Sequence, residues 1–112
     1  MVQRRRRNAM VRWMRSARIK NGGKFVEAVT WAKEVAAFAE KKYNTPRVNV
    51  YTDIVGQSGT IRWIIDYDDL AEFEKVQAKG MGDPEYFAKL KEAESKQLFI
   101  EGQIEDVMMR PV

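Results

Sequence analysis

The 112-residue sequence contains no cysteine and no histidine, so any chemistry it performs has to come from carboxylates, arginines, lysines and tyrosines. Disulfides, Cys/His zinc sites, thiol nucleophiles, Ser-His-Asp triads and histidine-ligated haem are all ruled out. No Asp-rich calcium loop is present, so neither a metal nor a cofactor is expected. The remaining grouping with chemical potential is Asp53, Arg62, Tyr51 and Arg12. Asp53 and Arg62 flank the turn Gly56-Gln57-Ser58-Gly59, Tyr51 shares a side with Asp53, and Arg12 lies on an earlier strand. In a cavity, Asp53 could act as a general base, either arginine could stabilise an enolate-like anion, and Tyr51 could donate a hydrogen bond. The same Asp53–Arg62 pair could also be a plain cross-strand salt bridge that sets register. An adjacent arginine lowers a carboxyl pKa, which makes it a poor base near neutral pH.

These residues need strands to hold them. Arg47–Tyr67 reads as a hairpin. Placing Gly56 opposite Gly59 pairs Val48 with Tyr67, Val50 with Ile65, Thr52 with Trp63 and Ile54 with Ile61, an apolar side suited to a layer of helices. The other side pairs Asn49 with Asp66, Tyr51 with Ile64 and Asp53 with Arg62. A one-residue slip would destroy both matches. Met10–Ile19 alternates as a first strand, with Val11, Trp13, Ala17 and Ile19 on one side and Arg12, Met14, Ser16 and Arg18 on the other, and Arg15 interrupts the apolar side. Trp13 and Trp63 then belong to the core.

Between the first strand and the hairpin the apolar period becomes helical. Phe25, Val29, Ala32, Ala36, Ala39 and Tyr43 form one stripe, widened by Ala28, Val35 and Phe38 with Trp31 adding apolar surface beside it, and Asn44-Thr45-Pro46 ends it. Asp69 with Glu72 opens a second helix running to about Lys79, Gly80-Met81-Gly82 interrupts it, and Asp83-Pro84 restarts it to about Lys96. Gln103–Met109 is a last short strand.

The net charge of +4 resides wholly in Arg4–Arg7. Residues 1–9 are expected to be a disordered basic leader, a mis-assigned start or an expression remnant, with Met10 a plausible true start, and residues 10–112 to be one domain. The arginine run could bind phosphates non-specifically, but no aromatic stacking platform accompanies it, so nucleic acid is an unlikely partner. No apolar stretch is long enough to span a bilayer. With no signal segment and no cysteine, a soluble cytoplasmic protein is the expectation.

Strand, helix, hairpin, helix, strand is an α+β, ferredoxin-like βαββαβ order with a four-stranded antiparallel sheet. Right-handed crossovers put the helices on one face. The other face, carrying Met14, Tyr51, Ile64 and Val107 or Met108 among charges, is expected to be covered by a second copy. The first strand, the alanine-rich helix, Trp63-Ile64-Ile65-Asp66-Tyr67 before Asp69-Leu70-Ala71, and Asp83-Pro84-Glu85-Tyr86 together resemble the dimeric α/β-barrel superfamily, in its NIPSNAP-like or antibiotic-biosynthesis-monooxygenase-like branch, over about residues 10–110. The resemblance implies a homodimer whose two sheets close a barrel, with Arg12, Tyr51, Asp53 and Arg62 facing its interior. It also implies a small-molecule ligand, with the chain acting as a binding or regulatory protein or, alternatively, as a cofactor-independent monooxygenase, cyclase or isomerase. The histidine of haem-binding members has no counterpart here.

Overall fold

In the computed structural model, which describes residues 10–112, four strands form one antiparallel sheet in the order β2-β3-β1-β4. They are β1 (Val11–Ile19), β2 (Val48–Thr52), β3 (Thr60–Tyr67) and β4 (Phe99–Met109). The expected α+β order is present. The helices are α1 (Phe25–Tyr43), between β1 and β2, and α2 (Leu70–Met81) and α3 (Pro84–Ser95), between β3 and β4. The Arg4–Arg7 leader lies outside the described residues.

β1 pairs with β3 on one edge and β4 on the other, so its alternation assigns the faces of the sheet. Val11, Ala17 and Ile19 go inward with Ile61, Trp63, Ile65 and Tyr67, and all seven are buried. α1 covers them with a surface of small residues. Ala28, Ala32 and Ala36 let the helix approach closely, while Trp31 and Val35 fill the space beside them. The buried face is rotated from the expected stripe, because Trp31 claims the centre and Phe25 is left 40% exposed. Both buried indoles are satisfied by main chain, as burial of an N–H requires. Trp63 Nε1 donates to the Ala32 carbonyl in α1 and Trp31 Nε1 to the Lys89 carbonyl in α3, each at 3.1 Å. With Phe99 the two rings form an edge-on cluster, centroids 5.6 to 6.1 Å apart.

The hairpin departs from the expected register by two residues. The observed partners are Val48–Ile65, Asn49–Ile64, Val50–Trp63, Tyr51–Arg62 and Thr52–Ile61. A slip of two preserves both faces because the side-chain period is two. The physical cause is Asp53, which leaves the ladder and turns its carboxylate back to accept from Gln57 N (3.3 Å) and from Arg62. The connection grows accordingly, with Gly56 in the left-handed region at φ 104°, and Ile54, expected opposite Ile61, is 92% exposed.

α2 begins as read. Asp69 accepts from Glu72 N (2.9 Å), while the Glu72 carboxylate reaches back to Asp68 N (2.8 Å). It continues through Gly80 and Met81 and breaks at Gly82. Asp83 then caps α3, accepting from Glu85 N at 2.9 Å. The same buried carboxylate accepts from the Tyr43 hydroxyl and from Lys42 Nζ (2.9 Å), which fastens the end of α1 to the start of α3. β4 is longer than expected. Gly102, read as the boundary of the strand, lies inside it at φ 80°, where two steps of β1 (Ala17 to Ile19) match five of β4 (Ile104 to Phe99). That is a bulge rather than an end.

Ile61 is 1% exposed at the centre of this core, so Ile61→Ala should destabilise by about 2–5 kcal/mol in urea unfolding. Asp83 is held below the ordinary carboxyl range, first by the Tyr43 hydrogen bond and then by Lys42. Its contribution is therefore complete above the unfolded-state value of about 3.9 and disappears as acid protonates it in the folded state. Asp83→Asn should lower the midpoint of thermal unfolding at pH 7, and the gap from the wild type should close as the pH falls below about 4.

Candidate functional site

The two faces of the sheet carry different chemistry. On the face away from the helices, the sheet order brings together all four residues singled out in the sequence. Arg12 on β1 stands opposite Asp66 on β3 and forms a two-pronged ion pair with it at 2.7 and 2.9 Å. Arg62 lies opposite both Ser16 and Tyr51. It grips Asp53 at 2.7 and 2.8 Å and donates a third bond to Ser16 Oγ at 2.7 Å. Asp53 and Arg62 thus meet, although diagonally rather than directly opposed. Arg12 is committed to a different carboxylate, and Tyr51 is 54% exposed beside them. Arg62 holds the Asp53 carboxyl below its usual range, as Arg12 does for Asp66. Both acids are ionised and weakly basic near neutral pH. The geometry is that of interlocked ion pairs. Tyr51 borders a shallow pocket of about 640 Å³ beside β2, and none of the four lines the aromatic cavity of the domain.

That cavity, of about 710 Å³, lies on the other side, between the sheet and the helices. It exists because α2 and α3 join the sheet at few points. The Trp31 bond to Lys89 and the Asp83 latch hold α3 by its flanks, and the space between is not filled. Trp13, Trp31, Trp63, Tyr67, Tyr86 and Phe99 form much of its wall, so every tryptophan in the sequence faces one space. Lys20, Glu94, Gln97 and Glu101 contribute a polar stretch, with Lys20 Nζ donating to Gln97 Oε1 at 3.2 Å.

Arg15 enters this apolar wall from the helix-facing side of β1. The sheet register puts Asp106 of β4 directly opposite, and the guanidinium donates to both its carboxylate oxygens at 2.7 and 2.8 Å. A third donor, on Nη1, reaches the Tyr86 hydroxyl of α3 at 3.2 Å. The guanidinium also sits 5.3 Å from the Trp13 ring centroid, a cation–π contact. Hydrogen bonding to Asp106 outweighs burial and holds Arg15 firmly protonated. Arg15 and Tyr86 line the cavity, whereas Asp106 does not. Among the described residues no three Asp or Glu side chains cluster so as to hold a metal ion. The sequence signal for this site was present as the one residue that broke the apolar side of β1. An arginine facing a helix layer needs a partner, and that partner comes from a strand 91 positions away.

The NIPSNAP family model matches residues 11–112. No protein of curated function matches the sequence. Among solved structures, a NIPSNAP family protein from Agrobacterium tumefaciens is 17% identical with a TM-score of 0.73, covering 92% of this chain and 93% of that one. An uncharacterised NIPSNAP domain protein from Burkholderia xenovorans is 19% identical with a TM-score of 0.71, over 91% and 94%. SnoaB, a cofactor-independent oxygenase from Streptomyces nogalater, is 13% identical with a TM-score of 0.64, over 92% and 93%. At these identities the likeness is one of fold.

Arg15 and Asp106 should respond unequally to substitution. Arg15→Met leaves a carboxylate that water can reach, since Asp106 is 43% exposed. Asp106→Ala instead leaves a cation in an apolar wall, so it should cost about 1–2 kcal/mol more in denaturant unfolding. Equal losses would contradict this account of the pair.

Proposed function

Since the chain belongs to the NIPSNAP family, whose fold it shares from end to end of the described domain, we propose that it is a small-molecule-binding homodimer. Each copy holds an apolar, aromatic ligand between its sheet and its helices. The observation that carries this reading is the cavity itself. It is a cleft of about 710 Å³, open to solvent beside Met81 and Ile104 and walled by aromatic rings, which falls within the size range of ligand pockets.

The second copy is supported by the opposite face of the sheet. There Tyr51, Val107 and Met109 are 54%, 39% and 38% exposed around the half-buried Met14 and Ile64. Burying that apolar surface against its twin would stabilise both copies. On this reading Arg12, Asp53 and Arg62 lie with Tyr51 between the two sheets, where their ion pairs orient the copies. No described helix is long and apolar enough to cross a membrane.

A catalytic reading, the cofactor-independent oxygenase type named for the Streptomyces protein, is supported by the shared fold and by donors in the cavity wall that could hold an enolate-type oxygen. It would be revealed by oxygen uptake with a bound molecule.

All three tryptophans report on the cavity, so titration with fluorene should quench or shift their fluorescence. Ala39→Phe, which adds a ring to the cavity wall, should weaken the effect at least tenfold. An unchanged spectrum up to the solubility limit would end the ligand reading. Light scattering should give twice the 13.0 kDa chain mass. Val107→Lys, a charge in the middle of the apolar patch, should return the mass to that of one chain.

A further inference from the structure

We propose that the cavity selects neutral aromatic molecules bearing a carbonyl oxygen, which is received by the Tyr86 hydroxyl and the Arg15 guanidinium together. The inference rests on the small-molecule reading above and adds the polar group the ligand has to carry.

The argument is a count of donors. Arginine has five N–H groups. Asp106 takes one from Nε and one from Nη2, and Tyr86 takes one from Nη1. One hydrogen on each terminal nitrogen is left over. The Tyr86 oxygen is used as an acceptor by Arg15, so its own proton has to point elsewhere. Among the described residues no acceptor stands opposite it. Two kinds of donor, on atoms 3.2 Å apart, therefore border the same space. A carbonyl oxygen has two lone pairs to offer such a pair.

Charge decides against an acid at Arg15, and the other cation of the lining, Lys20, shares it with Glu94 and Glu101. Asp106 already neutralises Arg15 from outside the cavity lining. A carboxylate ligand would lose its hydration to meet a cation that is already compensated, with another carboxylate just behind it. A hydrocarbon would leave the donors dry and unpaired, which also costs. A neutral carbonyl avoids both penalties, and the aromatic walls favour a flat ring system around it. The donors are preorganised, because sheet register fixes Asp106 opposite Arg15 and Trp13 supports the guanidinium.

Three probes of one shape separate the possibilities, with tryptophan fluorescence as readout: fluorene, 9-fluorenone and fluorene-9-carboxylate. Fluorenone should bind roughly five- to tenfold more tightly than fluorene, the worth of about one net hydrogen bond, and the carboxylate more weakly than fluorenone. In Tyr86→Phe the fluorenone-to-fluorene ratio should fall roughly twofold or more, the remainder coming from Arg15. In Asp106→Asn, which leaves Arg15 uncompensated, the carboxylate should gain relative to fluorenone. Equal binding of fluorene and fluorenone, a preference undiminished in Tyr86→Phe, or a carboxylate that binds best to the wild type would each overturn the inference while leaving the small-molecule reading intact. Failure of all three probes would remove both.

Discussion

β1 is hydrogen-bonded along both edges, and the rest of the molecule depends on that constraint. A strand paired on two sides cannot rotate, so each of its side chains is committed to one face. Trp13, Arg15 and Ala17 go to the helices, and Arg12, Met14 and Ser16 to the other side. The neighbours then follow the register: Asp66 meets Arg12, Arg62 meets Ser16 and Asp106 meets Arg15. Two chemically distinct surfaces arise from one nine-residue segment. One holds paired charges among apolar patches, and the other is an aromatic chamber with one arginine, neutralised by Asp106, set among its rings.

That division explains why the conspicuous residues of the sequence and the cavity part company. Asp53 and Arg62 are noticeable because they flank a turn. Their partners are each other, Ser16 and the Gln57 amide, and a carboxylate so held is weakly basic. Arg15 is inconspicuous in a sequence with many arginines. It becomes significant only where it lies, half-covered by rings, with its charge compensated by a residue far along the chain.

Local signals were legible in the sequence and long-range ones were not. The caps at Asp69 and Asp83 and the end of α1 depend on residues within four positions of one another, and they stand where the sequence places them. The faces of β1 and β3 follow from a two-residue period and are also right. The buried face of α1 centres on Trp31, which the sequence places beside the stripe, because its indole has a main-chain acceptor in α3 that no periodicity encodes. β4 was cut short because Gly102 reads as a break, and only the pairing with β1 turns it into a bulge. No local pattern encodes the cavity, because it is a gap between elements, left where α2 and α3 meet the sheet only in part.

The two-residue shift in the hairpin has a consequence of its own. Hydrophobic alternation is indifferent to even-numbered slips, so the pairing seen and the one expected satisfy it almost equally. The alternative would even shelter Ile54, which now stands in water. What sets the observed pairing apart is polar: the Asp53 carboxylate accepts from the Gln57 main-chain amide as well as from Arg62, its expected cross-strand partner. The β2–β3 ribbon thus has two in-phase pairings that hydrophobic patterning by itself does not separate, and its register rests on the polar contacts of one turn.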